Sequence, residues 1–119
     1  MKKCLILVNA YSRLKSALNQ SDRLKEEFAR LGVIADVRPN DFFVCSVEEG
    51  GGLACAAKGY DFCVYLDKDK YAACMLEKCG LRLFNHAQAI ETCDDKMLTS
   101  IALSGRSIPM PRTLPGLLC

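Results

Sequence analysis

Short apolar runs alternate with amphipathic helical stretches along this chain, and the order predicts an α/β fold. The expected architecture is a three-layer, mostly parallel open sheet of four to five strands with helices on both faces. Three observations point there. The apolar runs at residues 4–8, 33–37, 62–66 and 81–84 are continuous or nearly so, as in strands buried on both faces. Helical periodicity separates the first run from the second and the third from the fourth, and glycine closes each helical stretch (Gly32, Gly80). The length of 119 residues suits one domain that buries roughly two thirds of its unfolded surface.

The first strand is expected at residues 3–8. Met1, Lys2 and Lys3 ahead of an apolar run have the order of a secretory leader. The run is too short for one, however, and Asn9, Tyr11, Ser12 and Arg13 interrupt it. Leu14, Leu18, Leu24, Phe28 and Leu31 recur at spacings compatible with one helical face. The surest part is residues 21–31, with Ser21 as cap, Gly32 as stop, and Arg23, Lys25, Glu26, Glu27 and Arg30 toward solvent. A second strand at residues 33–38 completes a βαβ unit, whose crossover should be right-handed.

Residues 39–59 are less regular. Phe42, Phe43 and Val44 form a short strand or line a loop, and Gly50-Gly51-Gly52 is a turn. That triplet lacks both the dinucleotide-binding glycine spacing and the lysine–serine pair of a phosphate loop. A third strand follows at residues 61–66, then the loop Asp67-Lys68-Asp69-Lys70. Ala72, Ala73, Met75, Leu76 and Cys79 give a helix that Gly80 ends. Residues 81–84 are the fourth strand, closed by Asn85. A short helix at 87–93 leads to a second one, capped by Asp94 or Asp95 and carrying Met97, Leu98, Ile101 and Ala102. Gly105 ends it, Pro109 and Pro111 forbid its continuation, and residues 108–114 form a final strand.

The composition, half hydrophobic and a quarter charged, is that of an ordinary soluble domain. A net charge of +2, with lysines and arginines scattered, excludes a nucleic-acid or anionic-membrane surface as the main partner. No apolar run approaches membrane-spanning length. Eight cysteines are present without a C-x-x-C pair. Lacking a leader, the chain is expected in the reducing cytoplasm with free thiols. Cys74, Cys79 and His86 lack a second ligand pair at zinc spacing, so no metal site is expected. His86 is the one histidine, without a partner that would make it catalytic, and no catalytic residue is assigned.

In an open parallel sheet, ligands bind beyond the carboxyl ends of the strands. Asn9, Asn40, Asp67, Lys68, Asp69, Asn85 and His86 follow apolar runs and should gather on that edge. Asn9, Asn40, Lys68, Asp69 and Asn85 are the candidate substrate-binding residues. Each also has a plainer use: asparagine suits turns, and Asp69 can cap the helix that follows.

Two stretches resemble a known family. They are LFN-x-A-x-AI-x-x-C-DDK-x-x-T-x-x-AL, from Leu83, and IPMPRT, from Ile108, with YDFCVYLDKDKY and MLEKCGLRLFN upstream. Together they resemble the junction between the front domain and the ATP-binding part of ATP-grasp carboxylate–amine ligases of the RimK-like glutamate-ligase branch. The resemblance is clear from Tyr60 onward and looser before it. It implies a Rossmann-like, pre-ATP-grasp domain at residues 1–93, with residues 94–119 as the start of the ATP-grasp core packed on the same domain. It also implies ATP and magnesium in the full-length enzyme, with Lys96 near the nucleotide phosphates. The expected partners are the missing C-terminal ATP-grasp domains and a small-molecule or peptide carboxylate. Such an enzyme would continue well past Cys119, so the chain alone should neither ligate nor hold ATP tightly. Leu114, Leu117 and Leu118, uncovered, would favour a homodimer. The alternative is a stand-alone flavodoxin-like small-ligand-binding or regulatory module. Its phosphate loop would be the glycine-free segment Asn9-Ala10-Tyr11-Ser12-Arg13, a poor cradle.

Overall fold

A computed structural model describes residues 1–11, 15–41 and 45–116. Expectations for Ser12, Arg13, Leu14, Phe42, Phe43, Val44, Leu117, Leu118 and Cys119 lie outside the described residues. The elements run β1 (Lys3–Val8), α1 (Lys15–Arg30), β2 (Ile34–Pro39), β3 (Cys45–Val47), β4 (Leu53–Cys55), β5 (Phe62–Leu66), α2 (Lys70–Lys78), β6 (Arg82–Phe84), α3 (Ala87–Asp94) and α4 (Lys96–Leu103). The fold is mixed α/β. Among the described residues its main sheet has four strands in the order β2-β1-β5-β6, and every pairing between them is parallel.

The continuous apolar run of β1 is what a central parallel strand needs, because it has two faces to bury. Cys4 and Ile6 point to one side and pack with Ala35 of β2 and with Leu24 and Phe28 of α1. Leu5 and Leu7 point to the other side. There they join Cys63 and Tyr65 of β5, Ala73 and Leu76 of α2, Leu83 of β6 and Ala87 of α3. Helices therefore cover both faces, α1 on one and α2 with α3 on the other.

Two helix ends set the path into the next strand by the same device. At Gly32 the backbone turns left-handed (φ +77°), Gly32 N–H donates to Ala29 O (3.1 Å), and Val33 N–H donates to Phe28 O (2.9 Å). At Gly80 (φ +90°), Gly80 N–H donates to Glu77 O (2.9 Å) and Leu81 N–H to Leu76 O (3.1 Å). This paired closure satisfies orphan carbonyls and brings an apolar residue after the glycine back onto the last turn.

The structure corrects the sequence reading at four places. Ser21 is no helix cap: α1 begins by Lys15, and Ser21 is buried inside it, its hydroxyl donating to Leu18 O at 2.9 Å. Leu18 and Leu31 are exposed, so Leu24 and Phe28 carry the packing face. Residues 45–55 form an antiparallel hairpin, β3–β4, as a separate two-stranded sheet. The turn expected at Gly50-Gly51-Gly52 lies at its tip, closed by Glu48 N–H to Gly52 O (2.7 Å). Residues 108–114 add no strand to the described sheet. Three prolines among residues 109–115 remove the donors a ladder would need. Beyond α4 the chain continues exposed, with Ile108, Met110 and Leu114 uncovered.

Candidate functional site

Register builds the candidate site. Val8 lies opposite both Pro39 and Leu66, so the next residue of each strand, Asn9, Asn40 and Asp67, stands at one level. All three belong to the carboxyl edge of the sheet, where ligands of open parallel sheets bind.

These side chains bond to one another. Asn9 Nδ2 donates to Asp67 Oδ1 at 3.1 Å, and Asn40 Nδ2 donates to Asp67 Oδ2. Lys68 N–H also donates to Asp67 Oδ1, at 2.8 Å. The amide oxygens hold the loop after β1: Asn40 Oδ1 accepts from Ala10 N–H (2.9 Å) and Asn9 Oδ1 from Tyr11 N–H (2.8 Å). Asp67 is buried, and these partners are what make a carboxylate tolerable there. Each asparagine retains one amide N–H beyond the bond to Asp67.

Lys68 and Asp69 stand beside this rim. Lys68 Nζ reaches Asp94 Oδ1 of α3 at 2.6 Å, and that partner raises the lysine pKa. Asp69 caps α2, its Oδ1 accepting from Tyr71 N–H (2.9 Å) and Ala72 N–H (3.3 Å). Its carbonyl accepts from the Tyr65 hydroxyl at 2.6 Å. Burial, and after it the negative charges of Asp67 and Asp69, push the Tyr65 pKa up. Next to these residues lies an open groove of about 370 Å³ between the start of α2 and the α3–α4 junction. Its charged lining is Lys68, Lys70, Asp69, Glu91, Asp94 and Asp95. Two ammonium groups against four carboxylates leave the groove formally at −2. Such a lining suits an amine better than a phosphate.

Asn85 and Lys96 are not brought into this constellation. Phe84 pairs with Val64, so β6 ends short of β5 and Asn85 stands level with Tyr65, exposed, below the rim. Lys96 is exposed on the first turn of α4 and does not line the groove. The amides that would receive a phosphate at that helix end, Met97 N–H and Leu98 N–H, already donate to Asp95 Oδ1 at 2.8 and 3.0 Å. A single ammonium beside Asp95 does not by itself fit a nucleotide triphosphate. His86 is exposed ahead of α3, and Glu77 Oε1 satisfies the first amide of that helix instead (Ala87 N–H, 2.8 Å).

Two features escaped the sequence reading. The sequence puts Asp67 on the edge without marking it as its centre; the matched five-residue runs 4–8 and 62–66, which set Asn9 and Asp67 level, are the available signal. The other lies at the opposite end of α2. Cys45 and Cys55 are direct cross-strand partners with sulfurs 3.3 Å apart, and Cys79, after α2, brings a third sulfur within 4.8 Å of both. Burial and then the hydrogen bond with Cys55 raise the Cys45 pKa. Cys45 and Cys55 are equidistant from Gly50, which would have paired them had the glycine turn been taken as a hairpin tip. Neither protein-family models nor curated proteins match this chain.

Proposed function

We propose that this chain is the N-terminal substrate-cleft domain of an ATP-dependent carboxylate–amine ligase, of the RimK-like kind that its sequence resembles, with a Rossmann-like front domain. The observation that carries the proposal is the meeting of Asn9, Asn40, Asp67 and Lys68 at one rim, beside an open groove. In this reading the spare amide N–H groups of Asn9 and Asn40 receive a substrate carboxylate, and the acidic groove receives the amine. Asn85 marks the outer margin of the cleft. Residues 94–119 begin the ATP-grasp core, and the uncovered Ile108, Met110 and Leu114 pack on the lobes that complete it. Lys96 approaches the nucleotide phosphates there, with magnesium held by residues of those lobes. In their absence the same apolar side chains favour self-association, which sedimentation at several concentrations reads directly.

Amide-resolved NMR tests the proposal. Millimolar L-glutamate, or a short glutamate-terminated peptide, should shift Ala10, Asn40, Lys68 and Tyr71, and ATP with magnesium should show no micromolar binding by calorimetry. Silence of the rim toward every carboxylate and amine tried, or micromolar ATP binding by this chain, would overturn it. The flavodoxin-like alternative is disfavoured by the amides of Ala10 and Tyr11, which already donate to asparagine oxygens and so cannot cradle a phosphate. A yellow chromophore in the purified protein would restore it.

A further inference from the structure

We propose that Cys45, Cys55 and Cys79 bind one thiophilic metal ion of the zinc class, with the fourth coordination position left to an external ligand. The three sulfurs come from three separate elements, the two strands of the hairpin and the end of α2, and all lie within 4.8 Å of one another. A tetrahedral ion with metal–sulfur bonds of about 2.3 Å holds its thiolates about 3.8 Å apart. The Cys45–Cys55 separation of 3.3 Å is already near that value, so side-chain rotations of less than about an ångström complete the site. An all-sulfur donor set selects soft ions and rejects magnesium and calcium, which take oxygen ligands.

The access route is also present. An open cleft of about 230 Å³ reaches Cys55 and Cys79 and is lined further by Lys58, Gly59 and Tyr60. Water or another small donor can enter there as fourth ligand. On binding, each thiol gives its proton to solvent, and nothing is oxidised. A divalent ion with three thiolates carries a net −1, which the Lys58 ammonium on the same cleft offsets. The rival pairing, a Cys45–Cys55 disulfide, would use two of the sulfurs and leave the approach of Cys79 without a purpose.

The structural consequence is local. Strands β3 and β4 have three residues each, and a hairpin so short is marginal by itself. The ion would fasten it to α2. None of this depends on the ligase proposal.

The test uses the full chain, reduced and metal-free under anaerobic conditions, with Co²⁺ as the spectroscopic probe and Zn²⁺ as competitor. One equivalent of Co²⁺ should give thiolate charge-transfer bands and the visible bands of a tetrahedral ion, and Zn²⁺ should abolish both. Cys74→Ser, a change on α2 outside the cluster, should leave them intact. Cys55→Ser and Cys79→Ser should each weaken Co²⁺ binding by more than about tenfold, since even outer-shell changes cost 10–100-fold. A measurement without mutation runs alongside: Zn²⁺ should shield Cys45, Cys55 and Cys79 from alkylation while Cys74 and Cys93 stay reactive. Absence of the bands in the reduced wild type, their survival in both serine variants, or alkylation indifferent to Zn²⁺ would each overturn the proposal.

Discussion

Replacing Asp67 by alanine should destabilise the domain by about 2–4 kcal/mol. The carboxylate accepts three hydrogen bonds, from Asn9 Nδ2, Asn40 Nδ2 and Lys68 N–H, and Asp67 itself is buried. A hydrogen bond to a charged group contributes roughly 1.5–3 kcal/mol net. Asn9 is exposed and recovers most of its loss from water, whereas the half-buried Asn40 does not. That asymmetry brings the sum down to the range given. Urea unfolding followed by far-ultraviolet circular dichroism is the assay. With a slope of about 1.5 kcal/mol per molar urea, the midpoint should fall by roughly 1.3–2.7 M. Asn40→Ala and the double variant complete a cycle, and the coupling between the two sites should be about 1–2 kcal/mol. Additive losses, or an Asp67→Ala cost below about 0.5 kcal/mol, would mean that the rim is not held by this carboxylate.

Other outcomes follow from single features. Asp69→Ala removes the cap of α2 and should cost about 1 kcal/mol in the same urea assay, with Asp69→Ser recovering most of it. Gly80→Ala should cost about 1–2 kcal/mol through backbone strain alone, since φ is +90° and an added Cβ meets no atom within 4 Å. Burial pushes the Cys63 thiol up from 9.0 to about 12. A raised pKa stabilises the fold fully below the unfolded value and loses that contribution as pH rises through the folded one. Cys63 should therefore contribute a loss of about 1.4 kcal/mol per pH unit above about pH 9, and Cys63→Ala should reduce the slope by that amount in urea titrations between about pH 8 and pH 11. Cys4, Cys45 and Tyr65, shifted the same way, keep the remainder of the slope.

The parallel sheet was legible because continuous apolar runs have few other uses in a chain of this size, and glycine stops marked both helix-to-strand turns. The edge was legible for the same reason: whatever follows Val8, Pro39 and Leu66 must arrive at one end. What each edge residue does was less so. Asparagine after a strand reads equally as a turn or as a ligand, and only the register showed both asparagines spending their amides on one carboxylate. Asn85 misled because β6 is three residues long, a fact set by pairing and not by its apolar run. Ser21 misled because a serine ahead of an amphipathic stretch resembles a cap, while its hydroxyl instead bonds back within a longer helix. The hairpin was hidden since three-residue strands carry too little alternation to declare themselves.

The segment after α4 has a thermodynamic consequence of its own. Pro109, Pro111 and Pro115 fix φ along it, so the chain there has fewer conformations to surrender than an ordinary tail. Ile108, Met110 and Leu114 are thus presented, exposed, on a backbone whose freedom the prolines already curtail. Any surface that receives them forfeits less entropy in the act, and the seam it forms can be tight for its size.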